Sequence, residues 1–256
     1  MKRYRAIAEF YDAENEHRKM LQQDVPLLLS QLPLRSQSIL ELAVGTGRAA
    51  IPLAQAGHRV VGVDYDTKML EIAAAKRDAA GLTASQLQLV RGDVLRLRLK
   101  RKFDWIILLF NTFLGFPTLA EQDALLAGVV RHLRPAGKFW VDVFNPDLSL
   151  LAKGVSQDLD PSLFYVPALD MTVQRTTTVR RDPVAQLQRV TFHYRWFNQR
   201  GSLQRKTRQF AMTYLMPREL GILLERHGLR IERMFGNYDA GPLTADSPRM
   251  IAMCRR

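Results

Sequence analysis

The segment from residue 38 to residue 64 constrains the fold of this chain more than any other. It begins with a short apolar stretch, Ser38-Ile39-Leu40-Glu41-Leu42-Ala43, that has the length and composition of a buried strand. The glycine turn Gly45-Thr46-Gly47 follows, then an apolar helical stretch that ends at Gly57, and the valine-rich residues 58–64 predict a second strand. Strand, tight turn, helix and strand make a βαβ unit, whose strands are parallel and whose crossover is right-handed.

The alternation of strands and helices continues beyond this unit. Helices are predicted over 67–80, where Thr67 is the expected N-cap, and over 119–133 and 217–228. Further strands are predicted over 87–90, 103–110, 138–144, 230–237 and 249–254. The pattern predicts the α/β class, as a Rossmann-like, seven-stranded, mostly parallel sheet with helices on both faces.

Residues 163–214 break this pattern and follow a period of two. Phe192, Tyr194 and Trp196 fall on one face of the predicted strand, and His193 and Arg195 fall on the other. Turn signals at Asp182-Pro183 and at 198–201 predict three strands, in an antiparallel β insertion that covers the active site. The expected parts are a helical cap or lid (1–37), a cofactor-binding core (38–150), the insertion as substrate cover (151–215), and a closing helix with two strands (216–256).

The formal net charge of +12 is the most unusual bulk property of the chain. Such basicity is typical of nucleic-acid-binding proteins. The positive charge is spread along the sequence, however, and its densest runs, 96–102 and 200–208, alternate with apolar residues as the solvated edges of strands do. A nucleic-acid partner is therefore the weaker interpretation.

Composition excludes several other classes of protein. With 47% hydrophobic residues the chain has enough apolar surface for a folded core. No stretch approaches the roughly 20 apolar residues of a membrane span, and no apolar signal core follows the N-terminus, so we expect a cytoplasmic protein without a membrane partner. The single cysteine, Cys254, predicts neither an internal disulfide nor a metal site.

The glycine turn after the first strand is typical of a nucleotide-type ligand site. Gly45 and Gly47 let the backbone approach a ligand, and the following helix points its N-terminus at it. Taken alone, Gly45-x-Gly47-x-x-Ala50 also fits the looser dinucleotide fingerprint. Asp64 ends the second strand, where a carboxylate accepts ribose hydroxyls, and NAD enzymes share this feature.

Two further acids separate these ligand classes. Glu41 lies inside the first strand and Asp93 follows the third, where an acid is able to accept from the adenine amine. A mouth lined by Glu41, Asp64 and Asp93 suits a cationic ligand such as a sulfonium and repels a pyrophosphate.

Four segments together resemble the motifs of class I S-adenosylmethionine-dependent methyltransferases, in the branch that acts on small molecules. The segments are residues 39–48 (ILELAVGTGR), 61–70 (VGVDYDTKML), 91–94 (RGDV), and 103–107 (FDWII) with Phe110-Asn111. Their order and spacing cover about residues 39–145. One departure is Ala43, where the family usually has glycine; its methyl group narrows the pocket and predicts a shifted or more weakly bound cofactor.

The resemblance implies S-adenosylmethionine as the cofactor and S-adenosylhomocysteine as the product. The implied cofactor-binding residues are Tyr11, Glu41, Ala43, Gly45, Gly47, Arg48, Asp64, Tyr65, Met69, Asp93, Val94 and Phe110. Residues 4–12 resemble the family's lid helix, although Tyr11 is equally interpretable as a packing aromatic. In the same way Met69 fits a core position and Asp93 fits a turn former, while Asp104 is interpreted as structural.

Methyl transfer from a sulfonium is an in-line displacement, so positioning and a dry cavity matter more than a catalytic base. Weak candidates for a base are Asn111, Asp142, Asn145 and His193. The predicted acceptor is the N or O atom of a small molecule. Two interpretations of the aromatic residues Phe192, Tyr194 and Trp196 stay open: they bind the acceptor, or they pack the insertion on the core. Arg175, Arg180 or Arg195 would favour an acceptor with an anionic group. The alternatives are a methyltransferase of RNA or another macromolecule, a non-catalytic cofactor-binding protein, and a nicotinamide dehydrogenase. The sequence does not determine the oligomeric state.

Overall fold

The computed structural model describes residues 8–16 and 18–256, and its main sheet has seven strands in the order β10-β11-β5-β4-β1-β2-β3. Five of them follow the predicted α/β alternation: β1 (Ser38–Leu42), β2 (Arg59–Asp64), β3 (Leu87–Arg91), β4 (Phe103–Leu108) and β5 (Leu133–Phe144). The closing strands are β10 (Arg230–Phe235) and β11 (Arg249–Arg255). All neighbouring pairs from β5 to β3 are parallel, whereas β11 runs antiparallel to both β5 and β10. The predicted Rossmann-like fold is confirmed.

Helices cover both faces of this sheet. They are α2 (Asp24–Gln31), α3 (Ala50–Gln55), α4 (Thr67–Ala79), α5 (Leu119–His132) and α7 (Pro217–Arg226), with the single-turn α6 (Leu148–Leu151) after β5. Two apolar clusters fill the space between sheet and helices; one contains Ile106, Leu125 and Phe139, the other Leu28, Ile107 and Trp140. Neighbouring residues of β4 thus enter opposite clusters, because this central strand is buried on both faces.

The insertion is a second, four-stranded antiparallel sheet in the order β6-β7-β8-β9. Its strands are β6 (Val155–Val166), β7 (Met171–Asp182), β8 (Leu187–Phe197) and β9 (Leu203–Thr213). The prediction of three strands was therefore wrong by one. The missed turn, at Pro167–Leu169, contains no glycine and ends at the left-handed residue Asp170, so its turn signal in the sequence is weak.

Helix α1 (Ala8–Glu16) packs on the inner face of this second sheet. Phe10 lies between the rings of Tyr194 and Trp196, with both centroids 5.6 Å from its own. These two aromatics of β8 therefore pack the insertion against α1. Tyr4, which belonged to the predicted lid pattern, lies outside the described residues.

Three local predictions need correction. The N-cap of α4 is Asp66, whose carboxylate accepts from the Lys68 amide at 2.9 Å, and not Thr67. Strand β4 ends at Leu108 because Phe110 and Asn111 both have positive φ, which extended backbone does not allow. The basic run 96–102 lies in the connection between β3 and β4 and is not a strand edge. The four-part division of the chain stays a prediction.

Candidate functional site

A cavity of about 270 Å³ opens at the carboxyl ends of β1 and β4. The chain order reverses between these two strands, since β2 and β3 extend the sheet from β1 in one direction and β5 extends it from β4 in the other. Open α/β sheets bind ligands in the crevice at this switch point. Ala43 and Gly45 after β1 form one wall of the crevice, and Phe110 and Asn111 after β4 form another.

The backbone after β1 is left-handed at three positions within five residues. Ala43 and Gly45 both have φ +57°, and Gly47 has φ +80°. A Cβ at Gly45 would meet nothing within 4 Å, so its glycine is needed for conformation and not for space. Ala43 adopts the glycine-like conformation although it carries a methyl group, and this conformation costs about 1 to 2 kcal/mol for a non-glycine residue.

Asp64, the last residue of β2, connects the end of that strand to the glycine turn after β1. Its Oδ2 accepts from the Gly45 amide at 2.8 Å, and its Oδ1 accepts from the Asp66 amide at 2.9 Å. Burial raises the pKa of Asp64 above its usual range, and these amide bonds oppose the shift. The side chain lines the cavity, so that carboxylate lone pairs not used by the two amides are able to accept from a ligand.

A second chamber of about 360 Å³ adjoins the first and shares Ala43, Asp64, Tyr65 and Phe210 with it. Asp93 and Val94 line this second chamber, and Met69 lines the first. Asp93 also accepts from the Leu95 amide at 3.0 Å, so it forms the turn after β3 as well as a wall. Tyr65 is 39% exposed and stands between the chambers.

The second sheet forms a further wall of the first chamber. The apolar side chains on it are Val190, Phe192, Phe210 and Met212. Beside them Arg175, only 1% exposed, forms an ion pair with Glu14 of α1 and lies 4.9 Å from the centroid of the Phe192 ring. Tyr194 donates to the other Glu14 oxygen at 2.9 Å. Phe192 therefore belongs to the cavity, whereas Tyr194 and Trp196 hold α1.

Comparison with known proteins shows which proteins this chain is similar to. Residues 39–137, which include β1 to β4 and the glycine turn, match the family model described as "Methyltransferase domain". The cypemycin N-terminal methyltransferase of a Streptomyces species is 29% identical over 227 residues, which cover 89% of this chain and 86% of that protein. Residues 39–137 therefore contain a methyltransferase domain, and the chain is similar over most of its length to a methyltransferase.

Solved structures agree in the fold of the whole chain. An S-adenosylmethionine-dependent methyltransferase from Clostridium acetobutylicum ATCC 824 superposes with a TM-score of 0.77 at 18% identity, over 98% of each chain. The sugar N-methyltransferase KedS8 from Streptoalloteichus sp ATCC 53650 superposes with a TM-score of 0.72 at 19% identity, over 96% of this chain and 92% of that one. At such identities the likeness establishes the fold alone.

In this methyltransferase Glu41 and Arg48 lie outside the cavity walls. Glu41 is 5% exposed, and burial raises its pKa to about 8 against the opposing effect of Arg48. Arg48 forms a bidentate ion pair with Asp24 at 2.7 and 2.6 Å, which attaches α2 to the glycine turn. The predicted acidic mouth therefore consists of Asp64 and Asp93, with Glu41 buried in the sheet. Gly47 does not line the cavity either, and a Cβ there would lie 3.2 Å from Ile51.

Tyr11 of α1 does line the cavity, as a lid residue would. The helix is attached to the cofactor side through Asp12, whose carboxylate accepts from Thr46 at 2.6 Å and from Lys76 at 3.1 Å. It is attached to the second sheet through Glu14. Helix α1 thus spans the mouth between the two sheets.

Of the four weak candidates for a base, only Asn111 reaches the cavity. Asp142 is fully buried and accepts from Arg249 and Tyr238, so it is committed to structural contacts. Asn145 donates to the Ser247 carbonyl at 2.9 Å. His193 lies on the outer face of β8, 3.2 Å from Thr178. Asp142, Asn145 and His193 therefore lie outside the linings of the two chambers.

Several lining residues were missed in the sequence. They are Glu14, Asn15, Arg18, Phe116, Arg208, Phe210 and Met212. The period-two pattern of β9 places Arg208, Phe210 and Met212 on one face, so the alternation contained a signal for these three. Glu14 gave no such signal, because its partners are more than 160 residues away.

Asp104, predicted to be structural, accepts from the Ser38 amide at 2.9 Å and from Arg134 at 2.6 Å. It lies near the amino-terminal end of β4, away from the carboxyl ends of the parallel strands.

No helix within residues 8–16 and 18–256 is long and apolar enough to cross a membrane. The same ranges contain no group of three metal-ligating side chains.

Proposed function

We propose that this methyltransferase methylates an amine nitrogen of a small molecule bound against Phe192 and Phe210, with S-adenosylhomocysteine as the product. The observation that carries the proposal is the continuity of the cavity. One space is lined by the glycine turn and Asp64 at one end and by the aromatic wall of the second sheet at the other. A donor and an acceptor that share this space are held close enough for transfer.

The residues present fit the cofactor. A sulfonium compound with a ribose suits a site that offers the Asp64 carboxylate beside the open backbone of Ala43 and Gly45. Tyr65 and Met69 would flank the adenine, and Asp93 with Val94 would line its edge. Phe110 would close the crevice from the β4 side. The bound cofactor supplies a methyl group that is already activated by positive charge.

An amine acceptor is favoured by the lack of a strong base. None of the described residues that line the two chambers is a histidine or a cysteine. Glu14 is paired with Arg175, and Asp64 and Asp66 already accept from backbone amides. An amine only has to be bound unprotonated, whereas an alcohol needs a group that removes its proton. Two similar proteins are named as an N-terminal and a sugar N-methyltransferase, which supports the same acceptor atom.

The apolar wall and the buried ion pair define the expected acceptor more closely. Phe192, Phe210 and Met212 suit an apolar or ring-shaped body. The charge of Arg175 is compensated by Glu14, so we do not expect an anionic group to be essential for binding.

A macromolecular acceptor finds less support. The exposed arginines of the second sheet, Arg180, Arg189, Arg195 and Arg205, occupy the face opposite to the one that lines the cavity. Nucleic acid bound on that face would lie across the sheet from the methyl group. The feature that favoured a purely cofactor-binding role was Ala43 in place of glycine. Ala43 has the left-handed backbone conformation that glycine favours, so it gives this alternative little support.

The test combines calorimetry with a panel of acceptors. S-adenosylmethionine and S-adenosylhomocysteine are expected to bind and NAD is not. Mass spectrometry then follows methylation of an amino sugar, a tripeptide with a free N-terminus, and the N-acetylated form of each. Methylation of the free amines alone supports the proposal. Transfer to a phenol or to a short RNA, with no transfer to any amine, contradicts it.

A further inference from the structure

The wall of the crevice on the β4 side has an unusual backbone. Phe110 has φ +50° and Asn111 has φ +61°, and neither is glycine. Consecutive left-handed residues of this kind persist only where surrounding contacts impose them, and they concentrate at functional sites. Both residues line the cavity, and the 3₁₀ turn that follows, Thr112–Gly115, contacts β9 of the second sheet. The turn therefore lies between the cofactor side and the acceptor side.

Asp142 of β5 holds this turn by two hydrogen bonds. The Phe110 amide donates to Oδ2 of Asp142 at 3.3 Å, and the Asn111 amide donates to the Asp142 carbonyl at 3.0 Å. The side chain of Asn111 completes the arrangement, because its Oδ1 accepts from the Phe144 amide at 2.7 Å. Three contacts thus connect the end of β4 to the end of β5.

The Asp142 carboxylate accepts hydrogen bonds from two buried side chains. Arg249 of β11 donates through Nε to Oδ1 at 2.9 Å, and Tyr238 donates to Oδ2 at 2.7 Å. The three side chains are 0 to 6% exposed. Burial next to Asp142 raises the pKa of Tyr238, so its hydroxyl stays a donor. Arg249 donates to Oδ1 through both Nε and a terminal guanidinium nitrogen, and this leaves Oδ2 as the oxygen that faces the Phe110 amide.

We propose that Asp142 is a positioning residue, which fixes the left-handed turn Phe110–Asn111 and thereby the wall where the cofactor and acceptor sides meet. This inference rests on the proposed methyl transfer. It assigns to Asp142 neither proton transfer nor contact with the substrate. A displaced wall changes the alignment of methyl donor and acceptor, and a misplacement of about 1 Å is enough to lower a rate about a hundredfold.

The substitution Asp142→Asn separates positioning from packing. Arg249 requires an oxygen acceptor, so the amide nitrogen takes the place of Oδ2 and faces the Phe110 amide, donor against donor. Tyr238→Phe is the matched control. It also removes one hydrogen bond of the buried group, but it leaves the bond between Asp142 and Phe110 intact.

For Asp142→Asn we expect kcat to fall about tenfold or more, with KM for the acceptor and affinity for S-adenosylhomocysteine within about threefold of wild type. Hydrogen exchange at the Phe110 and Asn111 amides is expected to accelerate. The loss of kcat should be the same across the pH range in which the wild type is active, since no titrating base is removed. Tyr238→Phe is expected to keep kcat within about twofold and to leave these two amides protected.

A second pair of variants applies if Asp142→Asn does not fold. Asn111→Ala removes the acceptor of the Phe144 amide, while Asn111→Asp keeps an acceptor oxygen and tolerates the left-handed conformation. We expect kcat to fall in the first variant, and hydrogen exchange at the Phe144 amide to accelerate in the first variant but not in the second.

Equal losses of kcat in Asp142→Asn and Tyr238→Phe would overturn the proposal, because they would indicate general destabilisation. A loss that vanishes at high pH would overturn it as well, because it would indicate acid–base chemistry. A wild-type protein that binds no cofactor or methylates no amine would instead contradict the proposed function. In either case, hydrogen exchange at the Phe110 and Asn111 amides, compared between wild type and Asp142→Asn, tests whether Asp142 holds the turn.

Discussion

The cofactor side and the acceptor side of the cavity are stabilised by different kinds of contact. On the cofactor side, side chains accept hydrogen bonds from backbone amides of the same βαβ unit and the residues after it, as Asp64 does from Gly45 and Asp66. On the acceptor side, the wall depends on side chains from distant parts of the chain, as Glu14 of α1 does with Arg175 of β7 and Tyr194 of β8. The first arrangement is a property of a motif, whereas the second exists only after α1 has packed on the second sheet.

The largest expected effect comes from breaking the acceptor-side ion pair. Glu14→Gln removes the carboxylate charge of Glu14 beside the buried Arg175, and the loss of one partner from a buried ion pair costs about 3 to 5 kcal/mol of unfolding free energy. Denaturant unfolding measures it. The control is the double variant Glu14→Leu with Arg175→Met, which is expected to recover most of the loss. If the double variant is as unstable as the single one, the pair is not what holds α1 on the sheet.

The pH dependence of stability tests the cofactor side. Burial raises the pKa of Glu41 to about 8 from 4.5, so below pH 8 the folded protein holds a proton that the unfolded chain releases above pH 4.5. Its contribution to stability is complete below pH 4.5 and is lost as the pH rises to about 8, with a slope of up to about 1.4 kcal/mol per pH unit. Glu41→Gln cannot ionise, so its unfolding free energy should lack this slope. Parallel pH profiles for the two proteins would show that Glu41 is ionised in the fold.

The affinity for the cofactor separates the two sides directly. Asp64→Ala removes charge-assisted hydrogen bonds worth roughly 1.5 to 3 kcal/mol, so S-adenosylhomocysteine is expected to bind about ten- to a hundredfold more weakly in calorimetry. Phe192→Leu, on the acceptor wall, is expected to leave that affinity within about twofold and to raise KM for the acceptor. An Asp64→Ala protein of unchanged affinity would place the ribose elsewhere.

The smallest effect concerns the backbone of the glycine turn. Ala43→Gly removes the strain of a left-handed non-glycine residue but adds chain entropy, so we expect a net gain of about 0.5 kcal/mol in unfolding free energy. Gly45→Ala is the opposite control, because φ is the same +57° and nothing lies within 4 Å of the added Cβ. It should lose about 1 kcal/mol. Thermal unfolding of both variants checks the pair, and a loss of stability in Ala43→Gly would contradict the account.

The contrast between the two sides also explains which predictions were confirmed. The seven-stranded sheet follows from local patterns, since apolar runs, the glycine turn and the caps all lie within short segments. The places of Asp64, Tyr65, Met69, Asp93 and Val94 on the cavity walls follow from their positions after β2 and β3. Their contacts with a cofactor remain predictions.

The errors share a physical cause in long-range contacts. Asp142 has the residue type and strand position of a base, but Arg249 and Tyr238, about 100 residues away, occupy both of its oxygens. Arg48 directly follows the glycine turn, and Asp24 draws its guanidinium towards α2. Strand β4 ends two residues before its predicted end because Phe110 and Asn111 have left-handed backbone conformations, beside Asp142 of β5. None of these partners is visible in the local sequence.

By itself the sequence determined the α/β order of the core, the glycine turn and the positions of the acids in or after β1 to β3, because hydrophobic period and turn chemistry act over a few residues. Only the tertiary structure decided which acids face the cavity and which are buried. It also decided that α1 spans both sheets, and that Phe192 lines the cavity whereas Tyr194 and Trp196 hold a helix. Burial and pairing depend on side chains that are distant in the chain and adjacent only in the folded protein.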